Sequence, residues 1–347
     1  EMWIRDRPSH AVTRALIENA LRLAMTAGAQ ARGTTSPNPP VGAVILDSSG
    51  EIAGVGHTQP PGGPHAEIMA LTAAGEKARG GTAVVTLEPC NHTGRTGPCA
   101  QALIDASLAS VYFLHPDPTP QAAGGAAALA AAGITVGTLE APAGIEDALI
   151  PWLTAMDLGR PHVTLKFAQS LDGFTAAADG TSQWITGVQA REHVHIDRAR
   201  RDAILIGTGT ALADNPSLTA RFPDGELRDN QPRRVVVGSR DVAKHGAQNL
   251  ARLGFEQYAT PQEALAELYA SGARDILVEG GAGLATSMLE LGYVDRIQAY
   301  LGNVILGEGT GVLTHAVTST LADAPRWRRH SVMELGDDLL VEYQRKG

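Results

Sequence analysis

Pro64-His65-Ala66-Glu67, followed by Leu87-Glu88-Pro89-Cys90 and then Pro98-Cys99, decides how this chain reads. The only two cysteines in 347 residues fall where they can share one metal ion with one histidine. Tetrahedral zinc accepts imidazole nitrogen and thiolate sulfur, and a catalytic site leaves its fourth position to water. Zinc would lower the pKa of that water toward neutrality. Glu67 is not needed as a ligand, so its carboxylate is placed to take the water's proton and pass it to a departing group. Pro64 suits a first helical position, which puts His65 at a helix start. Cys99 follows Pro98 at another helix start, where the peptide dipole favours thiolate. A structural zinc, or two buried thiols beside a helix-capping histidine, would use the same residues. Structural zinc usually takes four protein ligands, and no third cysteine completes that set.

Outward from these motifs, apolar periodicity gives a helix over 11–30 and strands over 41–46 and 51–56. It then gives a helix from His65 to about Arg79, a buried strand 82–87, a helix 98–107 and a strand 111–114. A helix near 121–132, the segment 134–139 and a helix 144–158 extend the alternation. After Gly159-Arg160-Pro161 the rhythm restarts with strand 162–168, helix 187–200, and strands 203–206 and 234–237. Helix 261–271, strand 275–279, helix 283–291, strand 295–301 and a closing pair near 328–345 follow. Residues 208–232 read as loop. Such alternation packs helices over a central sheet, so two α/β domains are expected, 1–158 and 159–347.

The chain carries 37 acidic against 28 basic side chains. The acid excess lies in residues 1–159 and 241–347, whereas 160–240 hold more basic than acidic groups. An acidic surface repels a polynucleotide backbone, so no nucleic-acid partner is expected; bound phosphates are expected in the middle stretch. Two cysteines cannot build a disulfide framework, which suits a reducing, cytoplasmic setting. The first seven residues lack the apolar run of a signal peptide, and the Ala-rich segment 122–132 is too short to span a bilayer. No membrane partner is expected.

The His-x-Glu, Pro-Cys, Cys layout is that of zinc-dependent nucleobase deaminases. Eight residues separate the two cysteines, where free-nucleoside and tRNA-editing deaminases usually have two. With Ser36-Pro37-Asn38-Pro39-Pro40-Val41-Gly42 and Leu87-Glu88-Pro89-Cys90, this resembles the bacterial bifunctional riboflavin-biosynthesis deaminase–reductases over essentially the whole chain. The resemblance implies a cytidine-deaminase-like three-layer domain followed by a dihydrofolate-reductase-like domain. It further implies zinc held by His65, Cys90 and Cys99, with Glu67 catalytic. The substrate implied is a phosphorylated pyrimidine, 2,5-diamino-6-ribosylamino-4(3H)-pyrimidinone 5′-phosphate, contacted by Asn38, His57, His92 and Arg95. Asn38 and His57 equally suit ordinary turns.

Leu165-Lys166-Phe167-Ala168-Gln169-Ser170-Leu171-Asp172-Gly173 and Gly180-Thr181-Ser182-Gln183-Trp184-Ile185-Thr186-Gly187 carry the same resemblance into the second half. There it implies NADPH-dependent reduction of the ribosyl group to ribityl. Ala168, Trp184, Thr210, Asp214 and Ser239 would line the cofactor site. The Gly280-Gly281-Ala282-Gly283 turn would cradle its pyrophosphate at a helix start. Ser182, Leu218, Arg221 and Glu279 would face the substrate, with Lys166 and Glu279 orienting the sugar and moving protons. Lys166 could instead be a snorkelling strand residue, Trp184 a core residue and Asp214 a turn cap. No Gly-x-Gly-x-x-Gly with a downstream ribose acid is present, so a Rossmann domain fits less well. Phe174 and Asn215 depart from residues common in the family, and the span from Arg240 to Thr260 is short or irregular against it. The family also implies a homo-oligomer, a dimer or larger. A deaminase of other substrate joined to another reductase, or a zinc-stabilised scaffold without turnover, stay open at this point.

Overall fold

The structure is a computed structural model that describes residues 12–92 and 97–346. Two compact units meet in sequence at Gly159 and Arg160. In the first, Thr13 caps α1 (Arg14–Gln30) by accepting from the Leu16 amide, and Ile17, Ala20, Leu21, Ala24 and Met25 bury one face. β1 (Gly42–Leu46) is buried throughout and pairs antiparallel with both β2 (Ile52–His57) and β3 (Thr82–Leu87). β4 (Ser110–His115) and β5 (Thr135–Thr138) continue the sheet in parallel, giving the order β2-β1-β3-β4-β5.

Side-chain alternation along β1 assigns the two faces. Val44 and Leu46 join Leu21 and Met25 of α1. Ala43 and Ile45 join a core with Ala66 and Ala70 of α2 (Ala66–Ala74), Leu103 of α3 (Cys99–Asp105) and Leu129 of α4 (Gly125–Ala131). Trp152 of α5 (Ile150–Leu158) packs there too. The layers are helix, sheet, helix. α2 stops at Ala74, short of the expected Arg79, because Gly75 at φ 54 turns the chain into a single 3-10 turn. α4 starts only at Gly125, after Gly124 at φ 98, so the alanine run before it is not helical.

The second unit is built on an eight-stranded sheet among the described residues. β6 (His162–Gln169), β8 (Ala203–Gly207), β9 (Arg233–Val237), β10 (Glu256–Tyr258), β11 (Asp275–Gly280) and β12 (Arg296–Leu301) run parallel. β7 (Phe174–Ala177) pairs outside that sheet with β13 (Gly309–Gly311). β14 (Trp327–Leu335) and β15 (Asp338–Arg345) close one edge antiparallel. α10 (Pro261–Ala270) and α11 (Ala282–Glu290) cover Val163, Leu165, Leu205 and Val278 on one face. α7 (Thr208–Asp214), α8 (Val242–His245) and α9 (Gln248–Leu253) cover Ile204, Ile206 and Val236 on the other. Ala190 of α6 (Val188–Arg198) packs on Tyr300 and Leu340.

One expectation fails here. α7 lies inside the stretch read as loop; two threonines and a glycine in seven residues hide its propensity, and burial of Ala211 against the sheet holds it. The span 240–260 contains α8, α9 and β10, each too short to show a period.

Candidate functional site

His65 is the N-cap residue of α2, but its side chain makes no capping bond. Its ring points instead to the cysteines: Nδ1 lies 3.7 Å from Cys90 Sγ and 3.3 Å from Cys99 Sγ. The three ligand atoms lie within 4.8 Å of one another. Zn–S and Zn–N bonds at tetrahedral angles would separate sulfur from nitrogen by about 3.5 Å, so this donor set fits zinc. Both cysteines are buried and free. Cys90 is the one that ionises more readily: the Cys99 thiol hydrogen-bonds to it and the Cys99 amide donates to its sulfur at 3.4 Å, and with His65 these outweigh burial and hold it below the usual thiol range. Cys99 is pushed up by the same bond and by its own burial.

Glu67, in the first turn of α2, is only 4% exposed. Burial is the main reason its carboxyl rises to about 7, and it lies in hydrogen-bonding reach of Cys99. A carboxyl there can both accept and return a proton near neutrality.

Loop contacts fix these ligands. Glu88 accepts from the Ala126 amide at 3.0 Å and the Asp117 amide at 3.3 Å, tying the residue before Pro89-Cys90 to the start of α4. A Cβ on Gly125 would sit 1.7 Å from the Pro89 carbonyl oxygen, so only glycine permits this approach. Sequence reading noted Glu88 in the motif without a role; its bonds to these two backbone amides supply one. A Cβ on Gly56 would meet the Ala66 carbonyl at 2.5 Å, which shows how tightly the end of β2, with His57, packs on the start of α2. Asn38 sits in a turn closed by bonds to Thr35, and the Trp152 indole donates to the Pro37 carbonyl at 3.0 Å. His92 is exposed between the cysteines. Arg95 lies outside the described residues.

In the second unit a cavity of about 970 Å³ opens at the carboxyl ends of β6, β8 and β11. That volume suits a small-molecule or cofactor cleft, roughly 300–1,000 Å³. It brings together Lys166, Ala168, Ser182, Trp184, Thr210, Asp214 and Glu279 with the turn Gly280, Gly281, Ala282 and Gly283. Gly280 and Gly281 take φ of 151 and 82, and a Cβ on Gly281 would lie 2.7 Å from Thr210 Oγ1. The turn before α11 therefore leaves a backbone-lined cradle that fits a dinucleotide's pyrophosphate. Trp184 is 64% exposed, which removes the core alternative, and Arg191 stacks over its ring at 4.3 Å.

Three expected residues do not line the cavity. Leu218 is 3% exposed and belongs to the core under α7. Arg221 is tied to Thr219 Oγ1 and, at 2.6 Å, to the Gly225 carbonyl. Ser239 is exposed just past β9.

Residues missed from sequence stand on one face of α6: Arg191, His195 and Arg198, at four- and three-residue spacing, all line the cavity. That spacing was the available signal. Arg198 grips Glu279 through Nε–Oε1 at 2.7 Å and Nη2–Oε2 at 2.6 Å. Burial opposes ionisation of Glu279, but Arg198 and then Lys166 overcome it and hold the carboxyl at about 2. Lys166 is lowered, mainly by burial, and its ammonium lies 5.7 Å from the Tyr300 ring centre.

Comparison with known proteins agrees with this division. Residues 14–115 match the cytidine and deoxycytidylate deaminase zinc-binding region, and residues 161–341 the RibD C-terminal domain. The chain is 65% identical over 311 residues to the riboflavin biosynthesis protein RibD of Corynebacterium ammoniagenes, covering 89% of this chain and 92% of that one. A solved diaminohydroxyphosphoribosylaminopyrimidine deaminase/5-amino-6-(5-phosphoribosylamino)uracil reductase from Thermotoga maritima superposes with a TM-score of 0.83 at 29% identity. It covers 96% of this chain and 99% of that one. Acinetobacter baumannii RibD gives 0.81 at 34% identity with the same coverage. With a deaminase-type metal cluster in one unit and a reductase-type cavity in the other, this chain belongs to the riboflavin biosynthesis RibD family of bifunctional deaminase–reductases.

Proposed function

We propose that the first unit removes the 2-amino group of 2,5-diamino-6-ribosylamino-4(3H)-pyrimidinone 5′-phosphate, and that the second reduces the ribosyl group of the product to ribityl. The observation that carries this reading is the convergence of His65, Cys90, Cys99 and a buried Glu67 in a chain that also holds the Lys166–Glu279 cavity.

Zinc, when bound by His65, Cys90 and Cys99, polarises a water and makes it a better nucleophile. Glu67 takes a proton from the water that attacks the ring carbon and delivers it to the amino nitrogen, which leaves as ammonia. Asn38 and His57 orient the pyrimidine, and His92 and Arg95 hold the polar end of the substrate.

NADPH, when bound along Ala168, Trp184, Thr210, Asp214 and the glycine turn, supplies the hydride for C1′. The sugar ring oxygen then leaves as a hydroxyl and needs one proton. Lys166, lowered by burial, donates it. Glu279 stays ionised at neutral pH, so it orients Lys166 and the sugar and does not shuttle protons. Ser182 and Arg198 complete the substrate side; Leu218 and Arg221 act from behind it, through the backbone of the loop after α7.

This activity belongs in the cytoplasm, where NADPH is held reduced, and in a homo-oligomer. The nine-residue edge strand β14 exposes Val332 and Met333, which supports self-association. Among the described residues no helix is long and apolar enough to cross a membrane. The test is to offer purified protein the diaminopyrimidine phosphate beside cytidine and guanine, following ammonia release and NADPH absorbance together. Ammonia from the first alone, followed by NADPH loss, supports the assignment; turnover of cytidine or guanine instead would replace it.

A further inference from the structure

We propose that His195 contacts the substrate of the reductase: its Nε2–H, fixed in that tautomer by the backbone of the loop after α7, donates to an uncharged oxygen of the ribosylaminopyrimidine. The inference rests on the reductase reading above and adds a residue to which that reading gives no role.

His195 is half-buried on the cavity face of α6, four residues after Arg191 and three before Arg198. Among the described histidines of the second unit, it is the one that lines the cavity. His193, on another face of the same helix, bonds to the Tyr300 hydroxyl at 2.7 Å, and His315 pairs with Glu290. The charged groups that act on the His195 ring are Arg198, Glu279 and Arg228. Two of these, Arg198 and Glu279, form the buried pair beside Lys166. The imidazole therefore belongs to the part of the cavity where the sugar is oriented.

The loop after α7 decides which ring nitrogen carries the proton. The Arg221 amide donates to His195 Nδ1 at 3.1 Å. The Thr219 carbonyl lies 3.2 Å from the same nitrogen, but it already accepts from Arg198 Nη1 at 3.0 Å. With Nδ1 as acceptor, both backbone groups are satisfied; with Nδ1 protonated, the Arg221 amide would lose its acceptor. A neutral imidazole that accepts at Nδ1 donates at Nε2. Burial, and after it the Arg198 guanidinium, lower the pKa of this ring, so it is neutral at neutral pH. The loop is itself firmly placed: Leu218 sits in the core, and Gln231 bonds to both the amide and the carbonyl of Ala220 at 2.9 and 2.7 Å.

Both contacts of this ring with the protein are made at Nδ1, and no described residue bonds to Nε2. Nε2–H is thus the polar group that His195 has to offer the cavity. A single uncharged donor matches a carbonyl or hydroxyl oxygen, whereas a phosphate is better met by charged donors. The ribosylaminopyrimidine carries such uncharged oxygens on its pyrimidine ring and on its ribose.

The test is steady-state NADPH oxidation by the full chain on the deaminated intermediate and on its dephosphorylated form, for wild type, His195→Asn and His195→Gln. Asparagine places its amide oxygen near the position of Nδ1, so it keeps the bond to the Arg221 amide and loses the donor to the cavity. Glutamine reaches the position of Nε2, so it keeps that donor and loses the bond to the loop. The expected result is that His195→Asn lowers kcat/KM for the intermediate about tenfold, by the same factor with and without the phosphate, while KM for NADPH changes less than about twofold. His195→Gln should recover most of the wild-type value. If His195→Asn matches wild type, or His195→Gln is impaired as much as His195→Asn, the ring only braces the loop and the assignment is overturned while the reductase reading stands. A penalty that disappears with the phosphate would overturn the uncharged acceptor. If wild type itself does not oxidise NADPH on the intermediate, the reductase reading falls and the assignment of His195 with it.

Discussion

Glu67 lies in the first turn of α2 beside the ligand cluster, and burial has brought its carboxyl to about 7. A group of that kind is suited to carry one proton between water and an amino group. Glu67→Ala is therefore expected to cut ammonia release by about 10²–10⁴-fold. NADPH oxidation on the already deaminated intermediate should persist, because that chemistry uses residues of the other unit. Ammonia release at the wild-type rate would remove Glu67 from the mechanism. Glu279 is the opposite case, a carboxyl held at about 2 against an ordinary 4.5 by Arg198. A depressed folded-state pKa gives stability that is fully present above about pH 4.5 and is lost as pH falls toward 2, on the order of 3 kcal/mol. Thermal midpoints of the full chain measured against pH should fall more steeply across that window in wild type than in Glu279→Gln. Parallel curves would mean that the Arg198–Glu279 pair adds no pH-linked stability.

At the scale of elements, the metal ligands depend on how α4 abuts the loop after β3. Gly125 has no room for a Cβ against the Pro89 carbonyl, one residue before Cys90. Gly125→Ala should shift that loop, costing about 1–3 kcal/mol in stability and weakening zinc binding. Competition with a chromophoric chelator measures the latter, and an unchanged zinc affinity would show that α4 does not position Cys90. Strands such as 82–87 and helices such as 261–271 were legible because long apolar runs and clean periods survive in sequence. α7, α8 and α9 were not, since four to seven residues hold too few turns to show a period. The ligand triad was legible because zinc chemistry demands those residue types. The cavity face of α6 was not recognised, because Arg191, His195 and Arg198 look in sequence like any solvated helix face. Leu218 and Arg221 were read as contacting groups, yet tertiary packing turned one into the core and bound the other to Gly225.

For the whole molecule, two chemistries that need opposite settings occupy separate units of one chain. The first depends on a metal bound by two buried sulfurs and a half-buried imidazole; the second depends on an open cleft for a large dinucleotide. Each should be removable without the other. The most direct measurement is the zinc content of the full chain, determined by atomic spectroscopy alongside ammonia release and NADPH binding. The account predicts about one zinc per chain, lost together with ammonia release in Cys90→Ala and Cys99→Ala while NADPH binding is kept. Full zinc in both cysteine variants, or undiminished ammonia release from zinc-free wild-type protein, would contradict it.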